Sequence, residues 1–419
     1  MSTSNTSQDR CLIIGASHGG VNCAFALRRN GYVGEIVLYD SDPHLPYHRP
    51  PLSKAFLSGN ASIDQHRLKS EVAYEKENIR LELGQKVVAI DPANQTIELE
   101  NGEQQVYSQL VLATGGRPLI PPIEGVTGSS RVFVLRDATD AQQIQTFLAK
   151  SEPKRVLIIG GGYIGLEVAA SLRKQGAEIT LLEREERLLP RVTAPFVSAF
   201  FEEVHLQNGV QILCDQCVES IQESATEIEA RCTDGKRFVA DMIVLGVGLT
   251  LNTELAEAAG LKVADGILVD GTCQTSTANV YAIGDCTWHY NPHYDRHLRL
   301  ESVQNATEQA KVAAKAICGG TPVYDSIPWF WSDQYDLKLQ MVGLSEGYEE
   351  VIVRQEEKEN QFSVWYFVGD RLLAVDAINH PKAYMLGTRF IKNRTLVDKT
   401  KLADPEVPFK PAELSLTYP

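Results

Sequence analysis

No stretch of this sequence approaches the roughly 20 consecutive apolar residues that a membrane-spanning helix requires. Met1 to Arg10 is polar, with no apolar run behind a basic stretch, so it reads as a frayed tail and not as a secretory signal; a cytoplasmic protein is expected. Basic charge is also scarce, with 40 Lys and Arg against 54 Asp and Glu and a formal charge of −14. That balance disfavours a nucleic-acid-binding module, which relies on cations to neutralise phosphates. An acidic protein partner would have to find a local basic patch. The eight cysteines, at 11, 23, 214, 217, 232, 273, 286 and 318, lack the dense spacing of a disulfide-stapled domain, so reduced thiols are expected. Cys214 and Cys217 form a C-x-x-C that could be a redox pair or half a zinc site. No second pair stands at metal spacing, and Val210 to Val218 reads more simply as a strand running into a turn.

What the chain does have is length. At 419 residues it exceeds the size at which one core keeps growing, so two or three domains are expected. The apolar run Cys11-Leu-Ile-Ile14 ends in Gly15-Ala-Ser-His-Gly-Gly20, Val21 to Asn30 has helical character, and a second apolar strand, Glu35 to Tyr39, ends at Asp40. This is the βαβ unit in which a dinucleotide pyrophosphate rests on a helix N-terminus, with an acidic residue placed for a ribose hydroxyl. Ser17 stands where the middle glycine belongs, which narrows the room beside the pyrophosphate but offers a hydroxyl. The pattern recurs: Arg155 to Ile159 leads into Gly160-Gly-Gly-Tyr-Ile-Gly165, a helix through Leu166 to Gln175, and a strand Glu178 to Leu182 ending at Glu183. Each glycine turn admits one pyrophosphate, so two dinucleotide sites are implied. A carboxylate at Glu183 binds a 2′-hydroxyl and repels a 2′-phosphate, favouring NADH, although Arg184 and Arg187 stand close enough in sequence to take a phosphate. All three could equally be a solvated charged turn.

Between the two units Lys86 to Asp91, Gln95 to Glu100 and Val106 to Ala113 alternate apolar and polar residues, predicting a β-meander, and a similar one spans about Val210 to Val247. From about Trp329 the pattern changes to strands at Leu337 to Gly343, Glu350 to Arg354, Phe362 to Val368 and Arg371 to Ala377, then a helix near Lys382 to Lys392. An α/β architecture follows: two Rossmann-like domains, the first discontinuous over 1–115 and 250–327 and the second over 116–249, with an α+β domain over 328–419.

Leu112-Ala-Thr-Gly115 and Tyr281-Ala-Ile-Gly-Asp-Cys286, flanking the second unit, resemble the two-dinucleotide flavoprotein reductases. Pro46-Tyr-His-Arg-Pro-Pro-Leu-Ser-Lys54, Gly160 to Glu167, Glu301-Ser-Val-Gln-Asn305, Pro328-Trp-Phe-Trp-Ser-Asp-Gln334 and Leu339 to Gly347 narrow the resemblance to the FAD-dependent ferredoxin reductases of bacterial oxygenase systems, over nearly the whole chain. That resemblance implies FAD in the first fold and NADH in the second. Gly15, Ala16, Ser17, Gly20, Asp40, Arg49, Lys54, Val87, Thr114, Gly115, Arg136, Asp285 and Val303 would contact FAD, with Trp331 near its isoalloxazine. Gly160, Gly162, Tyr163, Ile164, Gly165, Glu183 and Gly248 would serve the NADH side. Tyr163 could cover the flavin until nicotinamide displaces it, or could simply pack; Gly246 and Gly248 would let nicotinamide approach the backbone.

The implied activity passes a hydride from NADH to FAD and single electrons to a 2Fe-2S ferredoxin, with a haem monooxygenase as terminal acceptor ahead of a Rieske dioxygenase. Lys54 would stabilise negative charge on the reduced ring and Glu167 would hold Lys54. Without the resemblance, Lys54 reads as a solvated lysine and Glu167 as a carboxylate favoured near a helix start. A rubredoxin or disulfide reductase shares both nucleotide folds. The C-x4-C, or the C-x-x-C ahead of the second glycine motif, that disulfide reductases carry is lacking. A non-enzymatic flavoprotein module stays open on architecture alone. Arg296, Arg299, Lys311 and Lys338 are candidates for docking the ferredoxin, although such residues are more often ordinary solvated charges. A monomer is the default expectation.

Overall fold

The computed structural model describes residues 9–150 and 154–416, so the tail expected over Met1 to Arg10 lies outside it except for its last two residues. Arg10 is no longer tail: it opens the first strand, Arg10–Ile14. Two compact units are formed, one of residues 9–49, 63–117 and 250–326, the other of 50–62, 118–150, 154–249 and 327–416.

In the first unit the strands Val280–Ala282, Gln109–Leu112, Arg10–Ile14, Glu35–Asp40 and Ile79–Leu83 lie in that order in one parallel sheet. Their central residues are apolar without alternation, as a sheet covered on both faces demands. One face packs on the helices His18–Arg29 and Val303–Ile317, through Ile13, Val21, Leu27, Ala310 and Ala313. The other packs Leu12, Ile14, Tyr39 and Leu110 against Ile97 and Leu99 of a three-stranded meander, Val87–Asp91, Thr96–Leu99 and Gln104–Val106. The segment expected as the third meander strand, Val106 to Ala113, in fact mostly leaves it. Leu110, Val111 and Leu112 are all fully buried, which only the centre of the parallel sheet allows, and the short polar strand before them closes the meander. Chain order reverses at Arg10–Ile14, with Glu35–Asp40 on one side and Gln109–Leu112 on the other, which is where an open α/β sheet makes its binding crevice.

The second unit repeats the theme with Val210–Leu213, Glu178–Leu182, Arg155–Ile159, Met242–Leu245 and Val132–Phe133, all parallel. The second expected meander is likewise shorter than read: its ends join the parallel sheet, leaving Val218–Glu223, Ile228–Cys232 and Arg237–Ala240. Residues 327–416 add a five-stranded antiparallel sheet in the order Trp329–Gln334, Leu337–Gly343, Arg371–Ile378, Phe362–Val368, Glu350–Gln355. The helix Pro381–Asn393 packs on it through Leu386, Phe390 and Ile391 against Trp365, Phe367 and Val375. Arg354, 1% exposed, spends its fixed fork of donors on the carbonyls of Leu402, Asp404, Pro405 and Val407 and on Glu356, clamping the last turns to the sheet. Among the described residues no helix is long and apolar enough to cross a membrane.

Candidate dinucleotide and electron-transfer sites

In the first unit Gly15 has φ +107°, and a Cβ there would lie 2.2 Å from the Ala113 carbonyl oxygen, so only glycine can turn the chain off the strand at this point. The turn leads into the helix His18–Arg29 beside a cleft lined by Ala16, Ser17, Asp40, Asp42, Tyr47 and Arg49. Ser17 does not cap that helix; its hydroxyl accepts from Arg49 Nε at 3.4 Å. Asp40 Oδ2 accepts the Ala16 N–H at 2.6 Å and Oδ1 the Asp42 N–H at 2.9 Å. Thr114, beside Gly115, is fixed by Asn252, whose side chain donates to its carbonyl at 2.9 Å while the Thr114 hydroxyl donates back to Asn252 O at 2.8 Å. Asp285 follows the strand Val280–Ala282, and Val303 is the first residue of a helix capped by Ser302, whose hydroxyl accepts from Asn305 N at 3.1 Å. The next residue, Gln304, is buried with its Oε1 lacking a protein partner, so an acceptor there awaits a donor that the protein does not supply. The helix N-terminus, the Asp40 carboxylate and this orphaned acceptor together fit a dinucleotide carrying a hydrogen-bonding ring. Val87 is buried in the meander core, so any contact it offers a cofactor comes from its backbone.

In the second unit Gly160 has φ +110°, and a Cβ there would meet the Gly246 oxygen at 2.5 Å. The helix begins at Tyr163 and not at Leu166, so Tyr163 is its first residue, outside the glycine turn where it was expected. Gly162 precedes it uncapped, Ile164 is exposed, and Gly165 is buried against the loop. Tyr163 donates to the Met341 sulfur at 2.8 Å and its ring lies 4.8 Å from that of Phe330. Glu183 is buried; its two oxygens accept the N–H groups of Gly161 at 2.6 Å and of Glu185 at 2.8 Å. Arg187 is held by Ser198 Oγ and Pro190 O, and the exposed Arg184 pairs with Glu185. Gly248 keeps φ +112° with open space where a Cβ would point. These residues fit a second dinucleotide, with a buried carboxylate closing the glycine turn.

The same unit holds an ion pair between a half-buried lysine and a buried carboxylate. Pro50–Ser53 forms a short helical turn that ends just before Lys54, and Ser171 in the helix Tyr163–Lys174 donates to the Ser53 carbonyl at 2.6 Å. Lys54 Nζ then meets Glu167 Oε2 at 2.5 Å, with Glu167 3% exposed. Ser53 Oγ donates to the same oxygen at 2.5 Å, and Ser332 Oγ donates to Oε1 at 2.7 Å. Ser53 and Ser332 were not foreseen; the only hint was that Ser332 and Gln334 alternate with Trp331 and Asp333. Trp331, next to Ser332, has its ring 5.3 Å from Trp329 and 6.3 Å from Phe330. Two strands away, in Arg371–Ile378, burial pushes the Asp376 carboxyl up to about 7, opposed by the hydroxyl of Tyr366 that donates to it.

The remaining candidates are scattered. Arg136 N donates to Asp140 Oδ2 at the mouth of the helix Ala138–Leu148. Arg299 is drawn onto Asp265 and Glu301 and Lys311 onto Glu308, while Arg296 opens a short strand and Lys338 lies in Leu337–Gly343. Cys214 is half-buried, Cys217 exposed, and both are free thiols. Among the described residues no group of three or more His, Cys, Asp or Glu could hold a metal ion.

The family model described as pyridine nucleotide-disulphide oxidoreductase matches residues 9–310, and one described as reductase C-terminal matches residues 329–412. Putidaredoxin reductase CamA of Pseudomonas putida is 43% identical over 409 residues, 96% of each chain. A 5,5'-dehydrodivanillate O-demethylase ferredoxin reductase subunit of Sphingobium sp. is 38% identical, over 96% of this chain and 97% of that one. Among solved structures, the reductase in a covalent putidaredoxin reductase–putidaredoxin complex superposes with a TM-score of 0.91 at 42% identity, over 96% of this chain and 97% of its own.

Proposed function

Because this chain belongs to the pyridine nucleotide-disulphide oxidoreductase family, we propose that it is an FAD-dependent NADH:ferredoxin oxidoreductase supplying electrons to an oxygenase system. NADH surrenders two electrons as a hydride whereas a 2Fe-2S centre takes one, and FAD, when bound, accepts the pair and releases it singly. The protein's share is to bind, orient and tune. The first glycine turn would hold FAD and the second NADH, with Asp40 and Glu183 as the acids that would accept from the ribose hydroxyls.

The observation that carries the reading is the Lys54–Glu167 pair, a cation held at 2.5 Å by a carboxylate that is itself 3% exposed. Placing a charge this way costs desolvation that surface pairs avoid, and such expense is concentrated where charge develops during a reaction. With FAD bound, Lys54 would supply positive charge to the isoalloxazine as it is reduced, Trp331 would serve the ring, and Tyr163 would serve the nicotinamide side. NADH is the reductant because the two arginines able to take a 2′-phosphate are engaged elsewhere, Arg187 by Ser198 and Pro190, Arg184 by Glu185. Of the docking candidates, Lys338 leads, since Arg299 and Lys311 already have carboxylate partners. The cytoplasm, where its cysteines stay reduced, is the compartment proposed.

The test is anaerobic NADH-driven reduction of cytochrome c by the FAD-loaded protein, with and without an added 2Fe-2S ferredoxin. Turnover that rises steeply with ferredoxin is the expected result; NADH oxidation indifferent to ferredoxin would overturn it.

A further inference from the structure

Behind Glu167 runs a chain of buried polar groups that the reaction above does not use. Ser332 Oγ donates to Glu167 Oε1 at 2.7 Å, Gln334 Nε2 reaches Ser332 Oγ at 3.2 Å, His205 Nε2 meets Gln334 Oε1 at 2.9 Å, and the Tyr335 hydroxyl meets His205 Nδ1 at 3.2 Å. Ser332 and Gln334 are each 1% exposed and His205 is fully buried.

The polarity of this chain follows from its end. An ionised carboxylate can only accept, so Ser332 spends its one proton on Glu167 and must accept from its other neighbour. The amide nitrogen of Gln334 therefore faces Ser332, and its oxygen faces His205. That oxygen needs a donor, which puts a proton on His205 Nε2. Burial pulls the His205 pKa down and keeps the ring neutral, so Nδ1 is bare and accepts the Tyr335 proton. Every donor in the row points toward Glu167, and successive bonds with one sense polarise one another.

We propose that Tyr335, His205, Gln334 and Ser332 form a one-way hydrogen-bond array that fixes the Glu167 carboxylate, so that Lys54 is held in place from behind by the strand carrying Trp331. Ser332, Gln334 and His205 are thus positioning residues, acting through Glu167 and Lys54; the inference rests on the reading of Lys54 given above. The geometry has a reason. Oε2 already serves Lys54 and Ser53, so without Ser332 the other oxygen would be a buried acceptor with nothing to accept from, and the carboxylate could rotate to ease it.

The test uses the FAD-loaded protein and two readouts, the anaerobic stopped-flow rate of flavin reduction by NADH and the flavin midpoint potential. Ser332→Ala is expected to slow reduction about tenfold, the loss of one hydrogen bond to a charged group, and to make the potential more negative. Ser332→Thr, which keeps the hydroxyl, is expected to restore both. In a Lys54→Met background, itself slow, Ser332→Ala is expected to add no further loss. In the oxidised protein, 15N-labelled histidine assigned with His205→Gln should carry its proton on Nε2. Should Lys54→Met leave the rate unchanged, the reading of Lys54 fails and the array loses its purpose. A slow Lys54→Met beside an unaffected Ser332→Ala overturns the array alone, as does an equal Ser332→Ala loss in both backgrounds or a bare His205 Nε2.

Discussion

The two glycine turns of this molecule solve one backbone problem in the same way and then part. In both, the first glycine holds a positive φ, +107° at Gly15 and +110° at Gly160, with a carbonyl oxygen of a neighbouring strand's loop where a Cβ would sit. In both, the acid after the second strand reaches back to a loop N–H at 2.6 Å, Asp40 to Ala16 and Glu183 to Gly161. They differ at the middle position, Ser17 against Gly162, and at the first helical residue, His18 against Tyr163. The Cβ that Gly162 lacks would find nothing nearer than the Gly246 oxygen at 3.9 Å. The fold therefore demands the first glycine and leaves the middle one free, and a glycine kept at the free position serves the approach of a ligand.

The largest effect should come from removing the shared feature. Gly15→Ala and Gly160→Ala each place a methyl within 2.5 Å of a backbone oxygen at a φ that alanine avoids, and a cost on the order of 3 kcal/mol or more is expected in each. The selectivity would sharpen the comparison. Gly15→Ala should purify without bound FAD, whereas Gly160→Ala should keep a yellow protein that NADH reduces poorly. Thermal unfolding with absorbance of the bound flavin checks both at once.

Exchanging the middle residues should have a smaller and one-sided effect. Gly162→Ser enters open space, so the melting temperature should hold while the NADH Kd rises about tenfold, the penalty of a hydroxymethyl where a pyrophosphate approaches. Ser17→Gly returns the first turn to the common pattern and should change FAD affinity by less than about threefold, because the Ser17 hydroxyl contributes only a long contact to Arg49, at 3.4 Å. Isothermal titration of NADH and of FAD onto the respective proteins reads these numbers. A Gly162→Ser protein that unfolds early would show that the middle glycine is a demand of the fold after all.

Both turns could be read from the chain because everything that makes them is contiguous: an apolar run, glycines at fixed offsets, a helix, a second run, an acid. Features made by distant residues could not. The alternation over Val106 to Ala113 reads as a meander strand, and only the partners Arg10–Ile14 and Val280–Ala282 reveal Gln109–Leu112 as the buried centre of a parallel sheet. Trp329–Gln334 is a strand whose buried positions, Ser332 and Gln334, are polar, inverting the usual rule. Those same two residues meet Glu167 and His205, more than a hundred positions away, so their purpose exists only in the folded chain. The family resemblance supplied Lys54 and Glu167 as a pair; it gave no hint of what stands behind them.

The acids, where the two turns look most alike, should act on coenzyme choice more than on the fold. Asp40→Asn and Glu183→Gln keep shape and size but replace one accepting oxygen by a donor, so one of the two loop N–H groups each carboxylate now satisfies is left facing an NH2. Glu183 is the more buried of the pair, so its loop should suffer more, by about 1 kcal/mol beyond the Asp40 change. Glu183→Gln also removes the charge that repels a 2′-phosphate, and the NADH:NADPH ratio of kcat/KM should fall about tenfold. It should not invert, since Arg187 remains tied to Ser198 and Pro190. An inverted ratio would mean that Arg187 abandons those partners for the phosphate, and the second turn would then owe its coenzyme choice to Glu183 alone.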